Sequence, residues 1–242
     1  MRDTTFHPEQ YLGIPPGYYD QVFRRGRGIQ WFWHRHRFRQ VESHLPADCR
    51  RLLDLGCGPG TFLGNLERPV ERALGVDLAE PQIDYARRHY SRPGLEFRVA
   101  DLRVAEIEGP FDAAVSIEVI EHLPPEEVAP FLRAVHGLLR PGGTLILSTP
   151  NVRSLWPLLE WTVSRIGPVD YSAQHLDLFD RRRLAATARE AGFEPLATKT
   201  FFVLAPFLAL LSTRLAEGLL AAEARLLPAL GAELLLVARR PA

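Results

Sequence analysis

Glycines and a carboxylate are gathered in one short segment, Asp54-Leu55-Gly56-Cys57-Gly58-Pro59-Gly60. Glycine lets a backbone approach a ligand closely, so a glycine-rich turn after a strand favours nucleotide binding. Two common phosphate sites are excluded, because Thr61 stands where a dinucleotide fingerprint needs glycine and no Gly-Lys-Ser/Thr follows. Asp54 also disfavours a pyrophosphate, since no lysine or arginine lies between Arg51 and Arg68. The segment instead suits a nucleoside ligand that carries positive charge.

Two further carboxylates follow the next two predicted strands. Asp77 follows the apolar run 73–76, and Asp101 lies at the end of the strand-like segment 97–102. The carboxyl ends of parallel strands meet at one edge of a sheet, so these acids should lie near Asp54. An acid one strand beyond the glycine turn is placed to accept hydrogen bonds from ribose hydroxyls. A single strand-end aspartate is often a helix cap, but three in succession beside the glycines indicate a ligand site.

A third group of polar residues, Glu118-Val119-Ile120-Glu121-His122, follows the fourth predicted strand. Three roles fit it. His122 can serve as a general base beside Glu121. Glu118, Glu121 and His122 can together bind Mg²⁺, Mn²⁺ or Zn²⁺. The segment can also serve only the packing of a helix start. We predict His122 and Glu121 as catalytic residues, and we assign no required metal ion.

The elements that must position these residues alternate along the chain. Short apolar runs at 51–55, 73–76, 95–99, 111–116 and 144–148 predict strands, and amphipathic stretches predict helices between them, one of them over 126–139. This alternation predicts an α/β fold with a parallel sheet covered by helices on both faces. Beyond residue 150 the pattern predicts a helix over 180–191 and strands over 193–202 and 233–238.

Five motifs resemble those of class I methyltransferases, which use S-adenosylmethionine, and they occur in the family's order and at its spacing. They are the glycine segment 52–60, Gly75-Val76-Asp77, Ala100-Asp101-Leu102, the strand 111–116 and the turn 139–145. The resemblance covers roughly residues 45–150. It implies a Rossmann-like, seven-stranded sheet whose last strand is antiparallel to the others.

The resemblance also implies how S-adenosylmethionine would bind. The glycines pass under its methionine part, Asp77 holds the ribose, and Asp101 with Leu102 contacts the adenine. Tyr19 belongs to a predicted cap helix that closes over the cofactor. The complete set of predicted cofactor-site residues is Asp54, Gly56, Cys57, Gly58, Gly60, Asp77, Leu78, Asp101, Leu102, Ile117 and Tyr19.

The segment 118–122 is similar to the Glu-x-x-Glu-His segment of ubiquinone-type O-methyltransferases, where these positions are associated with a divalent ion. Thr149-Pro150-Asn151 and His175 resemble a related branch in which a substrate lid follows the fifth strand and a histidine recurs ahead of the next helix. This resemblance implies that His175 faces the acceptor as a third catalytic residue. These resemblances imply O-methylation of a small, lipophilic or lipid-linked acceptor, with a divalent metal as an optional second cofactor. C- or N-methylation of a quinone precursor is an alternative, and so is a non-catalytic, cofactor-binding partner protein at a membrane.

Two segments outside the motifs bear on partners. Six arginines between Arg24 and Arg39, with aromatic neighbours and no acid among them, suit a solvated cap helix or an anionic membrane surface. Nucleic acid is disfavoured, because 29 basic residues are balanced by 29 acidic ones and no RNA-binding module is recognisable. The leucine-rich segment 204–231 replaces the tight hairpin of the family, and it suits packing, a homodimer interface or a membrane patch.

We expect one methyltransferase domain over residues 1–242. Its predicted parts are cap helices (1–45), a cofactor-binding half (46–150), a substrate lid (151–179) and a C-terminal part (180–242) with a helical insertion (204–231). The two cysteines form no CxxC pair, and no signal-peptide pattern or bilayer-length apolar run is present. These features predict a cytoplasmic protein, with peripheral membrane contact as an option.

Overall fold

Seven strands form one sheet in the computed structural model, which describes residues 14–101, 107–154 and 175–242. Their order across the sheet is β3-β2-β1-β4-β5-β7-β6. The first five strands run parallel, and β7 is antiparallel to both β5 and β6. The predicted Rossmann-like fold with an antiparallel last strand is therefore confirmed. The strands are β1 (Arg51–Leu55), β2 (Arg72–Asp77), β3 (Leu95–Val99), β4 (Phe111–Ile117), β5 (Leu139–Pro150), β6 (Glu194–Phe201) and β7 (Glu233–Arg239).

Helices cover both faces of the sheet, because successive residues of a buried strand point to opposite sides. In β1, Leu52 belongs to the core on one face and Leu53 to the core on the other, and both side chains are fully buried. Helices α2, α4, α7 and α8 contribute to the first core, and α5 and α6 to the second. The helices are α1 (Tyr18–Arg24), α2 (Ile29–Ser43), α3 (Thr61–Gly64), α4 (Glu80–Tyr90), α5 (Pro125–Leu138), α6 (Arg181–Glu190), α7 (Ala205–Leu208) and α8 (Thr213–Leu226).

Strand β5 begins earlier than the predicted strand at residue 144. Leu139 already pairs with Phe111 of β4, which ends the preceding helix one residue before the predicted end. Arg140 then donates to Asp112 at 2.6 Å, and this bond holds the turn against the neighbouring strand. The Pro-Gly-Gly sequence, which predicts a turn between the helix and the strand, thus lies within the extended segment.

The insertion between β6 and β7 forms two helices, the 4-residue α7 and the 14-residue α8, so the predicted helical insertion is confirmed; we call the two helices the hairpin. Glu223 of α8 holds the two helices of the insertion together. The buried carboxylate of Glu223 accepts hydrogen bonds from three successive backbone N–H groups, at residues 203–205 (3.0, 2.6 and 2.9 Å). No helix in the described part of the chain is long and apolar enough to cross a membrane. Leu102 and most of the predicted lid, residues 155–174, lie outside the described residues.

Candidate active site

The glycine loop between β1 and α3 folds back on the end of β2. Gly56 and Cys57 donate their N–H groups to the carbonyl of Val76 at 2.8 and 3.0 Å. Gly58 donates to the Asp77 carboxylate at 2.8 Å. Cys57 is buried, and a Cβ atom on Gly75 of β2 would lie 2.9 Å from its sulfur. The Cys57 side chain therefore packs under the loop, and only its backbone faces the open side.

Gly58 borders open space at the top of this loop. Its φ of 52° lies in the left-handed region, and a Cβ atom built on it would meet nothing within 4 Å. At Gly56 a Cβ atom would collide with the side chain of Val119, which follows β4. The loop is thus closed towards the segment after β4 and open above Gly58. A ligand seated there would lie against the bare backbone.

Two carboxyls lie at this loop, the buried Asp54 and the half-buried Asp77, and within the described residues no lysine or arginine forms an ion pair with either. Asp54 is 1% exposed, and its Oδ2 atom accepts no hydrogen bond from the described residues. Burial, reinforced by the charge of Asp77, raises the pKa of Asp54 to about 8. Burial also raises the pKa of Asp77, although the N–H groups of Ala79 and Gly58 oppose this shift. The ammonium and sulfonium of S-adenosylmethionine would satisfy the missing positive charge, so these residues fit that cofactor.

The remaining predicted cofactor residues are distributed along the same edge of the sheet. Asp77 and Val99 are register partners, and the N–H of Ala100 donates to the Asp77 carbonyl at 2.9 Å, which places Asp101 next to this strand end. Leu78 and Ile117 are half-buried beside β2 and at the end of β4. Tyr19 packs with its ring centroid 5.7 Å from that of His34 on α2. The adenine contact predicted for Leu102 stays a prediction.

A second cluster of carboxylates follows β4. Glu118 adopts a left-handed backbone with φ of 56°, a strained conformation for a residue with a side chain. Hydroxyls at the end of β5 hold both glutamates: Ser148 donates to Glu118 at 2.8 Å and Thr149 donates to Glu121 at 2.9 Å. Burial, with the nearby charge of Glu118, raises the pKa of Glu121 well above its ordinary value.

One buried guanidinium from the cap helix α2 holds this cluster to the rest of the molecule. Arg37 lies 3.3 Å from Glu118 and forms a short ion pair with Glu233, the first residue of β7. Glu233 is 1% exposed, and burial raises its pKa to about 8 although Arg37 opposes the shift. The ion pairs thus connect α2, the end of β4 and the start of β7 at a single point.

Two histidines complete the cluster. The ring centroids of His122 and His175 are 5.1 Å apart. The loop that carries His175 is fixed to the turn Ile120–His122, because the Glu121 carbonyl accepts bonds from the N–H groups of Leu176 and Asp177 at 2.7 and 3.0 Å. One ligand atom from each of Glu121, His122 and His175 lies within 4.8 Å of the other two. The structure thus brings together this set, while Glu118 of the predicted metal trio is bound to Arg37 and Ser148.

Several members of the site were not predicted from the sequence. Arg37 and Glu233 are 196 positions apart, and neither lies in a recognisable motif. Thr149 belongs to the Thr-Pro-Asn segment and Ser148 directly precedes it. The segment indicates a functional strand end, but it does not indicate which residues that strand end contacts. The two hydroxyls could have been predicted as site residues, because they lie at the end of a parallel strand that adjoins the strand before Glu118 and Glu121.

The arrangement matches a known family. A family model described as a methyltransferase domain matches residues 28–198, more than half of the chain. The chain belongs to this family. The match confirms the class I, S-adenosylmethionine-dependent methyltransferase that the motifs indicate.

Named relatives agree with this assignment over parts of their length. The methyltransferase is similar to a ubiquinone biosynthesis O-methyltransferase of Xanthomonas axonopodis, with 31% identity over 166 residues, 65% of this chain and 68% of the relative. It is similar to the Ruegeria pomeroyi protein of the same name, with 36% identity over 116 residues, 47% of this chain and 46% of the relative. The matched part of the chain spans 42% to 68% of the length of the three curated relatives compared.

A solved structure shows the same fold. A methyltransferase from Thermotoga maritima superposes with a TM-score of 0.69 at 18% identity, covering 96% of this chain and 98% of that one. The glycine loop and the Arg37 cluster of the methyltransferase therefore lie on a fold that other methyltransferases share.

The raised pKa of Asp54 leads to a prediction for stability and a prediction for cofactor affinity, and the two have opposite signs. Because its pKa is 3.8 in the unfolded chain and about 8 in the fold, the free energy of unfolding of the ligand-free protein should fall between about pH 4 and pH 8. Asp54→Asn should remove this slope and raise stability at pH 8 by a few kcal/mol. It should also weaken S-adenosylmethionine binding at least tenfold, as urea unfolding and calorimetry will show.

Asp112→Asn is the matched control, at the opposite end of the neighbouring strand β4. Burial raises the pKa of Asp112, but bonds from Arg51, Arg50 and Arg140 outweigh it and lower the pKa. This variant should therefore lose stability at neutral pH and bind the cofactor with unchanged affinity. Equal cofactor affinities of Asp54→Asn and the wild type would contradict the role given to Asp54.

Proposed function

We propose that this methyltransferase transfers the methyl group of S-adenosylmethionine to an oxygen of a small, lipophilic acceptor. The observation that carries the proposal is the pair of imidazoles, His122 and His175, which lie beside the segment that closes over the glycine loop. S-adenosylmethionine, when bound, supplies an electrophilic methyl group on a sulfonium. An oxygen acceptor has to lose a proton as it takes this methyl group, and a neutral imidazole is suited to accept that proton.

Separate residues of the chain bind the cofactor and accept the proton of the acceptor. The backbone at Gly56, Gly58 and Gly60 lies under the ligand, and Asp54 and Asp77 place negative charge below it. His122 or His175 accepts the proton of the acceptor hydroxyl while the new oxygen–carbon bond forms. The sulfur keeps the electron pair of the bond that breaks, so no other reactant is required.

Glu121 positions the base. Its carboxyl lies within 4.8 Å of a ring nitrogen of each histidine, and Thr149 fixes one of its oxygens. Its other oxygen, Oε1, accepts no hydrogen bond from the described residues. In its ionised form, a buried carboxylate in this position stabilises an imidazolium, as it forms, more than it stabilises the neutral ring. The fixed loop contacts at Leu176 and Asp177 keep His175 within this reach.

The relatives support oxygen as the acceptor atom, because the proteins from Xanthomonas and Ruegeria are named as O-methyltransferases of ubiquinone biosynthesis. C- or N-methylation of a related metabolite is the competing reaction, and cofactor binding without transfer is the competing role. Product analysis separates these three. Incubation with methyl-labelled cofactor and matched phenol, amine and activated-carbon acceptors should label the phenol.

The histidines are tested by substitution. His122→Ala and His175→Ala should bind S-adenosylmethionine normally, and the one that removes the base should lower turnover of the phenol by roughly 10²- to 10⁴-fold. Its pH–rate profile should lose the limb assigned to imidazole. His44→Ala, at the end of α2 and outside the site, is the control with unchanged turnover. Full turnover in both site variants across the pH range would refute the assignment.

A divalent metal at Glu121, His122 and His175 is a second candidate, favoured by the mutual distances of these ligands. Two imidazoles with one carboxylate suit Zn²⁺ or Mn²⁺ better than Mg²⁺, which prefers oxygen ligands. There the metal would polarise the acceptor oxygen. Metal analysis of the purified protein should then show a stoichiometric ion, and chelation should abolish turnover in a way that one added metal restores. Undiminished turnover after complete removal of metal would eliminate this version.

A further inference from the structure

Large apolar side chains are concentrated on the outer surface of the insertion. Among the described residues ten large hydrophobic side chains are exposed, and eight of them belong to residues 204–230. Leu211 is 84% exposed and Leu226 is 76% exposed. We call the following set the leucine face: Leu204, Phe207, Leu210, Leu211, Leu215, Leu226, Leu227 and Leu230.

The leucine face is built into a well-anchored hairpin. Small residues point inwards, since Ala205, Ala209 and Ala216 are buried in the core that includes Phe202. Leu208, Leu219 and Leu220 also pack partly buried against that core. The residues of the leucine face point outwards, which is the reverse of what burial alone favours. Because the buried Glu223 carboxylate also binds three N–H groups at the start of α7, the hairpin has a fixed orientation. A patch of this kind marks an interaction surface.

The exposed charges beside the leucine face are mainly positive. Of the two acids in residues 204–231, Glu223 is buried, and Glu217 is exposed but lies 3.7 Å from His36 and 3.9 Å from Arg39 of α2. Arg214 and Arg225 are exposed on α8, and in the part of the chain that the structure describes neither forms an ion pair. The outer surface therefore combines leucine with arginine, and the exposed carboxylate of the hairpin, Glu217, lies on the side towards α2.

The hairpin arises at the edge of the sheet that carries the candidate active site. It ends at β7, whose first residue, Glu233, pairs with Arg37 and lies in register with Pro150 of β5. Asn151, where the predicted lid begins, donates to the Gly231 carbonyl at 2.8 Å. The hairpin that carries the leucine face is thus bonded to the strand ends beside the candidate active site.

We propose that the leucine face docks on the surface of an anionic lipid bilayer, where the methyltransferase takes up its acceptor. The inference rests on the proposed function, because a lipophilic acceptor resides in such a bilayer. Leucines with flanking arginines, and with the exposed acid of the hairpin turned towards α2, are the composition of an interfacial surface. The leucines enter the acyl boundary and the arginines meet lipid phosphates. A symmetric second copy fits less well, because it would bring Arg214 and Arg225 of both copies together without acids to pair them.

The test measures binding of the full chain to vesicles. Wild-type protein should sediment with vesicles of phosphatidylglycerol and phosphatidylcholine at least about tenfold more strongly than with pure phosphatidylcholine, and high salt should reduce this preference. The triple variant Leu211→Gln, Leu215→Gln, Leu226→Gln should lose at least tenfold in partitioning. Leu196→Gln, which alters a 52% exposed leucine on β6, should bind as the wild type does.

Two further readouts make the outcome decisive. Arg214→Gln with Arg225→Gln should remove the preference for the anionic vesicles, and the leucine triple variant should methylate a water-soluble phenol at the wild-type rate. Absence of vesicle binding in the wild type, or a wild-type dimer that the triple variant dissolves, would overturn the proposal while leaving methyl transfer intact. Vesicle binding without transfer to any oxygen acceptor would instead refute the proposed function.

Discussion

Buried carboxyl groups at the carboxyl edge of the sheet are the constraint on which the rest of the site depends. Asp54, Glu121 and Glu233 are each 1% exposed, and Arg37 is the buried arginine of the described residues. Carboxylates in such surroundings are costly unless a positive partner or a proton compensates them. The fold therefore places uncompensated negative charge at the two positions where positive charge is expected to bind. A cationic cofactor is expected at Asp54, and a transferred proton or a metal ion is expected at Glu121.

Arg37 explains how distant parts of the chain meet there. It joins the cap helix to Glu118 and to Glu233, so the strained turn after β4, the start of β7 and the N-terminal helices share one ion-pair cluster. Glu118 binds Arg37, whereas Glu121 lies beside the two histidines. The leucine-rich hairpin leads into the first residue of β7. The ion-pair cluster is therefore close in the chain to the surface where the acceptor would arrive.

Sequence patterns predicted the parts of this molecule that are local. The strand–glycine–helix order and Asp77 follow from short-range spacing, so the sheet and the cofactor loop were predictable. The early start of β5 was not, because its pairing with Phe111 and the bond from Arg140 to Asp112 are tertiary contacts that outweigh the turn signal. Nor could spacing reveal that Arg37 meets Glu233, since only the closed fold brings residues 196 positions apart together.

The central claim is that S-adenosylmethionine lies on the glycine loop above Gly58, and calorimetric titration of two glycine variants tests it most directly. Gly58 and Gly26 both have positive φ, 52° and 69°, and a Cβ atom at either would meet nothing within 4 Å. Gly58→Val and Gly26→Val therefore impose similar backbone strain. The account predicts that Gly58→Val folds but loses measurable cofactor binding, whereas Gly26→Val binds as the wild type does. Equal affinity in both variants would contradict it.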